Sequence, residues 1–231
     1  LWGKITGEAE RIIKEELGDD KIQVAQIGPG GEKLVRFAAI MNMSNRAHGR
    51  TGMGAVMGSK NLKAIVVESE HKDQLADPVE FSKLVKQQVK DFKAGLGFEP
   101  FRDYGTSMGV DVPGFAMGTF PVRNFRSNDL EGWEKLSFLK YAEITQKHSG
   151  CYACMLKCGK IRTVPDGPYA GVTSEGPQYE TIWAFTGSTG CTDLGATVMA
   201  DHMCCEMGLD TISTGNSIGF AYELFEKGIL T

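Results

Sequence analysis

The sequence predicts an α+β protein, in which a mainly β segment is followed by a mainly helical one. Residues 21–28 alternate apolar and polar side chains, which is typical of a strand with one buried face. Beyond residue 77, apolar side chains recur at helical spacing. The polar stretch at 69–76 has the composition of a linker. We therefore expect two domains, one over residues 1–70 and one over residues 77–231.

Helical and strand patterns alternate within the first segment. The apolar residues of 4–17 share one face, which predicts a helix that ends at Gly18. A turn sequence at 29–31 separates the strand at 21–28 from an apolar run at 33–41. We therefore expect residues 21–41 to form a hairpin.

A glycine-rich stretch at residues 45–63 carries the first functional signal. Its glycines and basic residues are Gly49, Gly52, Gly54, Gly58, Arg46, Arg50, Lys60 and Lys63. Glycines let backbone N–H groups approach an anion closely, and arginines form bidentate contacts with phosphate. The stretch suggests a phosphate or cofactor site, with a solvated surface turn as the alternative. It contains neither a P-loop nor a dinucleotide fingerprint, and residues 64–67 after it are expected to form a short buried strand.

The second segment opens with a helix start at Asp77, because Pro78 and Glu80 follow at the first and third helical positions. Residues 95–138 are rich in glycine, proline and aromatic side chains. They are expected to form a long irregular connection, which is unusual unless it serves a function. Residues 138–147 are predicted to form a helix that ends at a cluster of cysteines.

Two helices are expected at the C-terminal end. Asp193 begins one, with Leu194 and Val198 on one side. The glycine-bounded stretch at 208–215 is expected to break it, and the last helix is predicted at 216–227.

Three cysteines, Cys151, Cys154 and Cys158, lie within eight residues at the spacing C-x2-C-x3-C. Thiols this close indicate a soft metal ion or an iron–sulfur cluster. The remaining cysteines are Cys191, Cys204 and Cys205. One of these three could complete a four-ligand iron–sulfur or zinc site, whereas the adjacent pair also fits small buried side chains on a helix.

Glu180 is a candidate acid or base, because Ile182 and Trp183 follow it and a carboxylate in apolar surroundings has a raised pKa. The alternative is a solvated glutamate at a helix start.

Composition limits the classes of function. With 42% hydrophobic and 23% charged residues, the chain has the composition of a folded protein. A net charge of −4 argues against nucleic-acid binding as its main role. No apolar run is long enough to span a membrane, and no signal peptide is recognisable. Clustered thiols without a disulfide scaffold favour the reducing cytoplasm.

Four stretches together resemble the aldehyde:ferredoxin oxidoreductase family of tungsten-bis-pterin enzymes. Residues 49–65 resemble its glycine-rich signature, and residues 151–158, 175–180 and 208–215 resemble three further blocks in the same order. The resemblance implies that the chain is a fragment. It would comprise the C-terminal part of a β domain that cradles pterin, followed by a mainly helical domain.

The resemblance also implies roles for individual residues. The pterin phosphates or rings would be bound by Arg46, Gly49, Arg50, Leu209 and Asp210. The backbone carbonyl of Ala47 would help to bind a Mg²⁺ ion that bridges the two pterin phosphates. A [4Fe–4S] cluster would be ligated by Cys151, Cys154 and Cys158, and Glu180 would be the carboxylate near the tungsten. The family's fourth cluster cysteine and its active-site histidine are expected beyond Thr231.

The implied activity is oxidation of an aldehyde to a carboxylate, or the reverse, with tungsten or molybdenum as the metal. Electrons would pass through the cluster to ferredoxin or a ferredoxin-like subunit, and the enzyme could be an oligomer. Cys205 stands where the family has an acidic pterin contact, which suggests an altered contact or substrate. The alternative from another class is a non-enzymatic electron-transfer or structural module with a [4Fe–4S] or zinc site.

Overall fold

The structure is a computed structural model that describes residues 1–43, 45–68 and 74–231. Its strands form two antiparallel sheets surrounded by helices, which confirms the predicted α+β class. The strands are β1 Gln23–Ile27, β2 Ile40–Asn42, β3 Arg46–His48, β4 Ala64–Val67, β5 Thr145–Ser149, β6 Gly159–Thr163 and β7 Thr173–Glu175. Most of the predicted linker at 69–76 lies outside the described residues.

Nine α-helices are found in the described part of the chain, together with short 3-10 and π turns. They are α1 Thr6–Leu17, α2 Pro29–Glu32, α3 Met53–Ser59, α4 Pro78–Ala94, α5 Phe98–Tyr104, α6 Phe138–Glu143, α7 Tyr179–Phe185, α8 Leu194–Met207 and α9 Thr211–Glu226. Three of these helices lie before residue 70, so the first segment is a sheet with packed helices rather than mainly β. No described helix is both long enough and apolar enough to cross a membrane.

The first sheet has the strand order β3-β2-β1-β4. The hairpin expected at residues 21–41 forms only in part, because β2 is limited to Ile40–Asn42 and includes only the last two residues of the apolar run at 33–41. Ile27 lies opposite Ile40, and the connection between them contains α2. Pro29 begins this short helix, and Leu34 adopts a left-handed φ of 58°, which interrupts any extended run.

The glycines after β3 let the chain pack closely on itself. A Cβ at Gly58 would lie 2.0 Å from the carbonyl oxygen of Gly31, so α3 can rest directly against α2. Gly52 has a φ of +76°, and a Cβ there would lie 2.2 Å from the carbonyl oxygen of Arg36. At these two positions, close contacts with the chain's own backbone are enough to require glycine.

The expectation that 64–67 is a buried strand is only partly correct. β4 pairs with β1 but lies at the edge of the sheet, and Ile65 and Val67 are 50% and 57% exposed. An apolar run identifies a strand, whereas its burial depends on what packs over it.

The irregular stretch at 95–138 supplies much of the hydrophobic core. Its buried side chains pack with residues from α6, α7 and α8 and with residues that flank the strands of the second sheet. The members of this core are Val110, Phe120, Val122, Leu130, Leu136, Tyr141, Ile144, Val164, Ile182 and Val198. The length of this connection therefore reflects a packing role, which periodicity does not reveal.

The predicted helix at 138–147 is wrong after Glu143. The last part of this stretch becomes β5, which pairs with β6 in a sheet of order β5-β6-β7. Ser149 lies opposite Gly159 at the end of the β5–β6 hairpin. The loop at 150–158 that joins these two strands carries the three clustered cysteines.

The break between the last two helices is shorter than predicted. Gly208 ends α8 with a φ of 67°, and the Asp210 side chain caps α9 by accepting a hydrogen bond from the Ser213 N–H at 2.8 Å. The last helix therefore begins at Thr211 and not at residue 216. Gly215 lies inside this helix at its contact with α7. A Cβ there would lie 2.4 Å from the Ala184 carbonyl oxygen, so the close contact requires glycine.

The turn between α8 and α9 joins the helical part to the first sheet. Ala38 forms a bridge with Leu209, and the Ala39 N–H donates to the Gly208 carbonyl at 2.8 Å. The Asp210 N–H donates to the Phe37 carbonyl at 3.0 Å. The 208–215 block is thereby held against residues 37–39, directly before β2.

Candidate cofactor site

Gly49 and Asp210 meet where the first sheet contacts the α8–α9 turn. A Cβ at Gly49 would lie 3.3 Å from Asp210 Oδ1, so a larger residue would crowd this carboxylate. Asp210 is 6% exposed, and its other oxygen, Oδ2, caps α9. Two candidates that lie far apart in the sequence are therefore neighbours.

Three of the other four residues expected to contact the pterins or Mg²⁺ lie nearby but make separate contacts. Ala47 lies on the edge strand β3 and is exposed, and Arg50 is exposed with a left-handed φ of 51°. Leu209 packs against α2, because a Cβ at Gly30 would lie 2.5 Å from Leu209 Cδ2. The small side chains of Ala47 and Gly49 on this edge suit close approach by a flat ligand.

Arg46 takes part in a buried polar cluster that joins the two sheets. Its guanidinium forms an ion pair with Glu175 at the end of β7, and their side chains are 25% and 10% exposed. The Asn45 Nδ2 donates to Glu175 Oε2 at 2.5 Å. A Cβ at Gly159 would lie 2.5 Å from Ser149 Oγ and 2.6 Å from Glu175 Oε1, so the β5–β6 hairpin closes the cluster.

This polar cluster contains several unsatisfied atoms. Among the described residues, the buried atoms Asn45 Oδ1, Arg46 Nε and Ser149 Oγ lack hydrogen-bond partners, whereas Glu175 Oε1 is paired with the Arg46 guanidinium. Buried polar groups in proteins are nearly always paired with protein, water or ligand. The cluster therefore fits a bound group with several hydrogen-bonding atoms, such as a pterin.

The cysteine loop presents three free thiols at the tip of the β5–β6 hairpin. Cys151 is exposed, and Cys154 and Cys158 are partly exposed. The Cys154 N–H donates to the Cys151 carbonyl at 3.0 Å, and Ala153 and Lys157 adopt left-handed φ values. The donor chemistry fits an iron–sulfur cluster. No group of three potential ligands in the described part of the chain converges closely enough to hold a metal ion.

Glu180 and Glu175 differ in environment. Glu180 is the second residue of α7 and is exposed, and its side chain has no hydrogen bond or ion pair among the described residues. The apolar environment expected for it is therefore absent in this chain. Glu175, for which the sequence predicts no role, is the more enclosed of the two, with its side chain 10% exposed. The signal that could have identified it is its position next to a glycine and a proline in a short polar block.

A second buried carboxylate lies behind the loop that joins β7 to α7. Asp201 is 5% exposed and accepts a hydrogen bond from Ser174 Oγ at 2.5 Å. Burial raises its pKa to about 6, and the Ser174 hydrogen bond opposes that shift. A Cβ at Gly176 would lie 2.3 Å from Asp201 Oδ2, so this carboxylate packs directly against the loop.

Arg162 holds the same loop from β6. Its Nη1 donates to the Pro177 carbonyl at 2.8 Å, its Nη2 donates to Ser107 Oγ at 3.0 Å, and its guanidinium lies 5.1 Å from the Tyr141 ring centroid. Burial lowers the pKa of Arg162 to about 10. Arg162 thus links the strand after the cysteine loop to the loop that follows Glu175.

Two family models cover almost the whole chain. The model for the aldehyde ferredoxin oxidoreductase N-terminal domain matches residues 1–69, and the model for domains 2 and 3 of the same enzymes matches residues 81–231.

Individual relatives agree with these matches. The tungsten-containing aldehyde ferredoxin oxidoreductases of Thermococcus kodakarensis and Pyrococcus furiosus are 44% and 42% identical to the chain. The alignments cover 100% and 99% of this chain and 38% and 37% of those proteins. The WOR-like subunit of an aliphatic sulfonate oxidoreductase from Pyrococcus furiosus is 37% identical over 89% of the chain and 33% of that protein.

A solved structure has the same fold. It is the active site complex BamBC of benzoyl coenzyme A reductase with 1,5-dienoyl-CoA, which matches with a TM-score of 0.80 and 29% identity. The match covers 99% of this chain and 36% of that one. The chain thus spans a little over a third of the length of the relatives that it matches.

Proposed function

The chain belongs to the aldehyde ferredoxin oxidoreductase family, and we propose that it forms part of a tungsten–pterin oxidoreductase that oxidises an aldehyde to a carboxylate. The observation that carries this proposal is the junction between the two sheets. There, the unsatisfied polar cluster around Arg46 and Glu175 lies directly behind the hairpin that bears the cysteines. A site for an organic cofactor and a site for an electron-transfer cluster would then be adjacent.

The residues at this junction have distinct proposed roles. Arg46, Gly49 and Arg50 would bind the pterin phosphates or rings, and Leu209 with Asp210 would contact pterin from the α8–α9 turn. The carbonyl of Ala47 on the edge strand would contribute to a Mg²⁺ site. Glu175 would keep the Arg46 guanidinium oriented through their ion pair.

The tungsten–pterin cofactor, when bound, supplies two-electron redox chemistry that amino-acid side chains lack. The chain itself binds and orients this cofactor and holds protons near it. Glu180, exposed at the start of α7, is the proposed carboxylate that exchanges a proton with the substrate oxygen. The electrons would leave through a [4Fe–4S] cluster bound by Cys151, Cys154 and Cys158, and would pass to ferredoxin or a ferredoxin-like subunit.

An aldehyde is the proposed substrate class because the relatives at 44% and 42% identity carry that name. The relatives named for sulfonate and benzoyl coenzyme A chemistry are 37% and 29% identical. Analysis of the purified protein would identify molybdenum in place of tungsten, a different substrate class or an oligomeric enzyme.

The test is metal and pterin analysis of the full-length protein, with Cys154→Ser as the variant and Cys191→Ser as its control. Cys191 lies outside the hairpin, where its sulfur accepts a hydrogen bond from the Asp193 N–H at 3.4 Å. We expect wild type and Cys191→Ser to contain iron, tungsten and pterin and to absorb broadly in the visible range. Cys154→Ser should lose the cluster absorption.

Two results would contradict the proposal. A colourless protein that contains zinc, without tungsten or pterin, would instead identify a structural zinc module. A brown protein that lacks tungsten and pterin would identify a non-enzymatic electron carrier.

A further inference from the structure

Lys160 is a buried cation directly behind the cysteine loop. It is the second residue of β6, follows Cys158 by two positions, and is only 1% exposed. Its ammonium donates hydrogen bonds to the Lys157 carbonyl at 3.0 Å and to the Gly159 carbonyl at 3.3 Å. Both acceptors belong to the loop or to its junction with β6, so the charge is held at the base of the loop.

No carboxylate of the described residues lies within ion-pair distance of this ammonium. Two other charged side chains act on this ammonium. Asp103 attracts it but is exposed and more distant, and Arg162 repels it. Arg162 shares the buried face of β6, but it has an aromatic ring and several oxygen acceptors. Burying a charge without an anionic partner costs free energy, so a buried lysine is normally paired with an anion. Among the described residues, Lys160 lacks such a partner.

The nearest source of negative charge is the cysteine loop itself. The Lys160 ammonium is hydrogen-bonded to the carbonyl of Lys157, the residue directly before Cys158, so its charge lies at the end of the loop that carries this thiol. The backbone of Cys158 is held in place, because a Cβ at Gly105 would lie 2.3 Å from the Cys158 carbonyl oxygen. Thiolate ligands and the cluster they bind are anionic, and the cluster becomes one charge more negative when it accepts an electron.

We propose that Lys160 is a positioning residue that supplies a buried positive charge to the cluster and favours its reduced form. This inference rests on the proposed function, since it requires a cluster at the cysteine loop. In a region of low dielectric constant, a fixed cation stabilises the more negative oxidation state more than the less negative one. Lys160 therefore raises the reduction potential of the cluster and makes it a better acceptor of electrons from the cofactor.

The chain offers a matched control for this charge. Lys157 is a lysine of the same loop, but its side chain is exposed, so solvent screens its charge. Lys157→Met and Lys160→Met each remove one positive charge and keep an unbranched aliphatic side chain. Lys160→Arg keeps the positive charge at the buried position.

The experiment is a redox titration of the full-length holoenzymes with dithionite and mediators, followed by electron paramagnetic resonance of the reduced cluster. We expect Lys160→Met to lower the equilibrium constant for one-electron reduction about tenfold, which is about 59 mV towards negative potential. Lys157→Met and Lys160→Arg should stay close to wild type. If Lys160→Met loses its iron while Lys157→Met and Lys160→Arg retain it, the need for a buried charge is also supported.

Three outcomes overturn the inference. Equal potentials in wild type and Lys160→Met, with full iron content, would overturn it and leave the proposed function intact. Loss of the cluster in both Lys160→Met and Lys160→Arg would indicate that the shape of lysine is needed and not its charge. Absence of iron from the wild-type protein would overturn the inference and the cluster assignment together.

Discussion

At the scale of single residues, Asp201 is a buried carboxylate whose charge depends on pH. Burial raises its pKa from the usual 3.8 to about 6, so the folded protein favours the neutral carboxyl group. The stability that this group contributes is fully present below pH 3.8 and is lost as the pH rises through about 6. Above that window, the folded protein holds a buried negative charge next to the Ser174–Gly176 loop.

We therefore predict that Asp201→Asn reduces the pH dependence of stability between pH 3.8 and about 6. The amide oxygen can still accept the Ser174 hydrogen bond, and no buried charge forms at higher pH. Relative to its own value at low pH, the variant should retain on the order of 3 kcal/mol more stability than wild type at neutral pH. Chemical denaturation of the full-length protein at several pH values measures this difference.

The control for this prediction is Asp129→Asn, which changes an exposed aspartate. This variant should follow the wild-type pH profile. If Asp201→Asn also follows the wild-type profile, Asp201 ionises in the folded protein no differently from an exposed aspartate.

At the scale of elements, local signals predicted the helices that have their own start and stop residues. Asp77 caps α4 as expected, because its side chain accepts hydrogen bonds from the N–H groups of Val79 at 3.1 Å and Glu80 at 2.9 Å. Gly18 likewise ends α1, with its N–H bonded to the Lys14 carbonyl. These caps involve neighbours in the sequence, which is why the sequence identifies them.

Elements defined by distant contacts were predicted less well. The stretch at 138–147 has helical spacing, but its second half pairs with β6 and becomes β5. The segment before β2 has an apolar strand composition, yet it forms only an isolated bridge, between Ala38 and Leu209 of the α8–α9 turn, and no regular strand. In each case the deciding partner lies beyond the window over which periodicity is measured.

The glycine-rich block illustrates two roles that composition cannot separate. Gly49 faces Asp210 in the candidate site, whereas Gly58 lies against the backbone of α2. We predict that Gly58→Ala destabilises the protein by about 1–3 kcal/mol, because its Cβ would meet the Gly31 carbonyl oxygen at 2.0 Å. Thermal or chemical unfolding measures the loss.

Gly97→Ala is the matched control, since no other atom lies within 4 Å of the Cβ that it would add and its φ is −84°. This variant should unfold like wild type. Equal stability of Gly58→Ala and Gly97→Ala would mean that α2 and α3 can separate without cost.

At the scale of the whole molecule, the candidate site exists only because distant parts of the chain meet. Glu175 contacts Asn45 across 130 residues of sequence, and Gly49 lies beside Asp210. The family resemblance predicted roles for Gly49 and Asp210, and the thiol spacing predicted a metal or cluster site at the cysteine loop. Glu175, Asp201 and the buried Lys160 were not predicted, because their importance comes from burial against partners far away in the chain.

The two glutamates of the 175–180 block provide the last prediction. Glu175→Gln removes the charge that pairs with Arg46 across the junction, so we expect the free energy of unfolding to fall by about 1–3 kcal/mol and the pterin content to fall as well.

Glu180→Gln changes an exposed side chain, so stability should stay within about 0.5 kcal/mol of wild type. The cluster spectrum should also persist in Glu180→Gln, while aldehyde turnover falls sharply if this carboxylate moves the proton. Unfolding, pterin analysis and steady-state kinetics on the full-length enzyme measure these effects. Unchanged turnover in Glu180→Gln would exclude its acid–base role, and wild-type stability in Glu175→Gln would show that its ion pair does not hold the junction together.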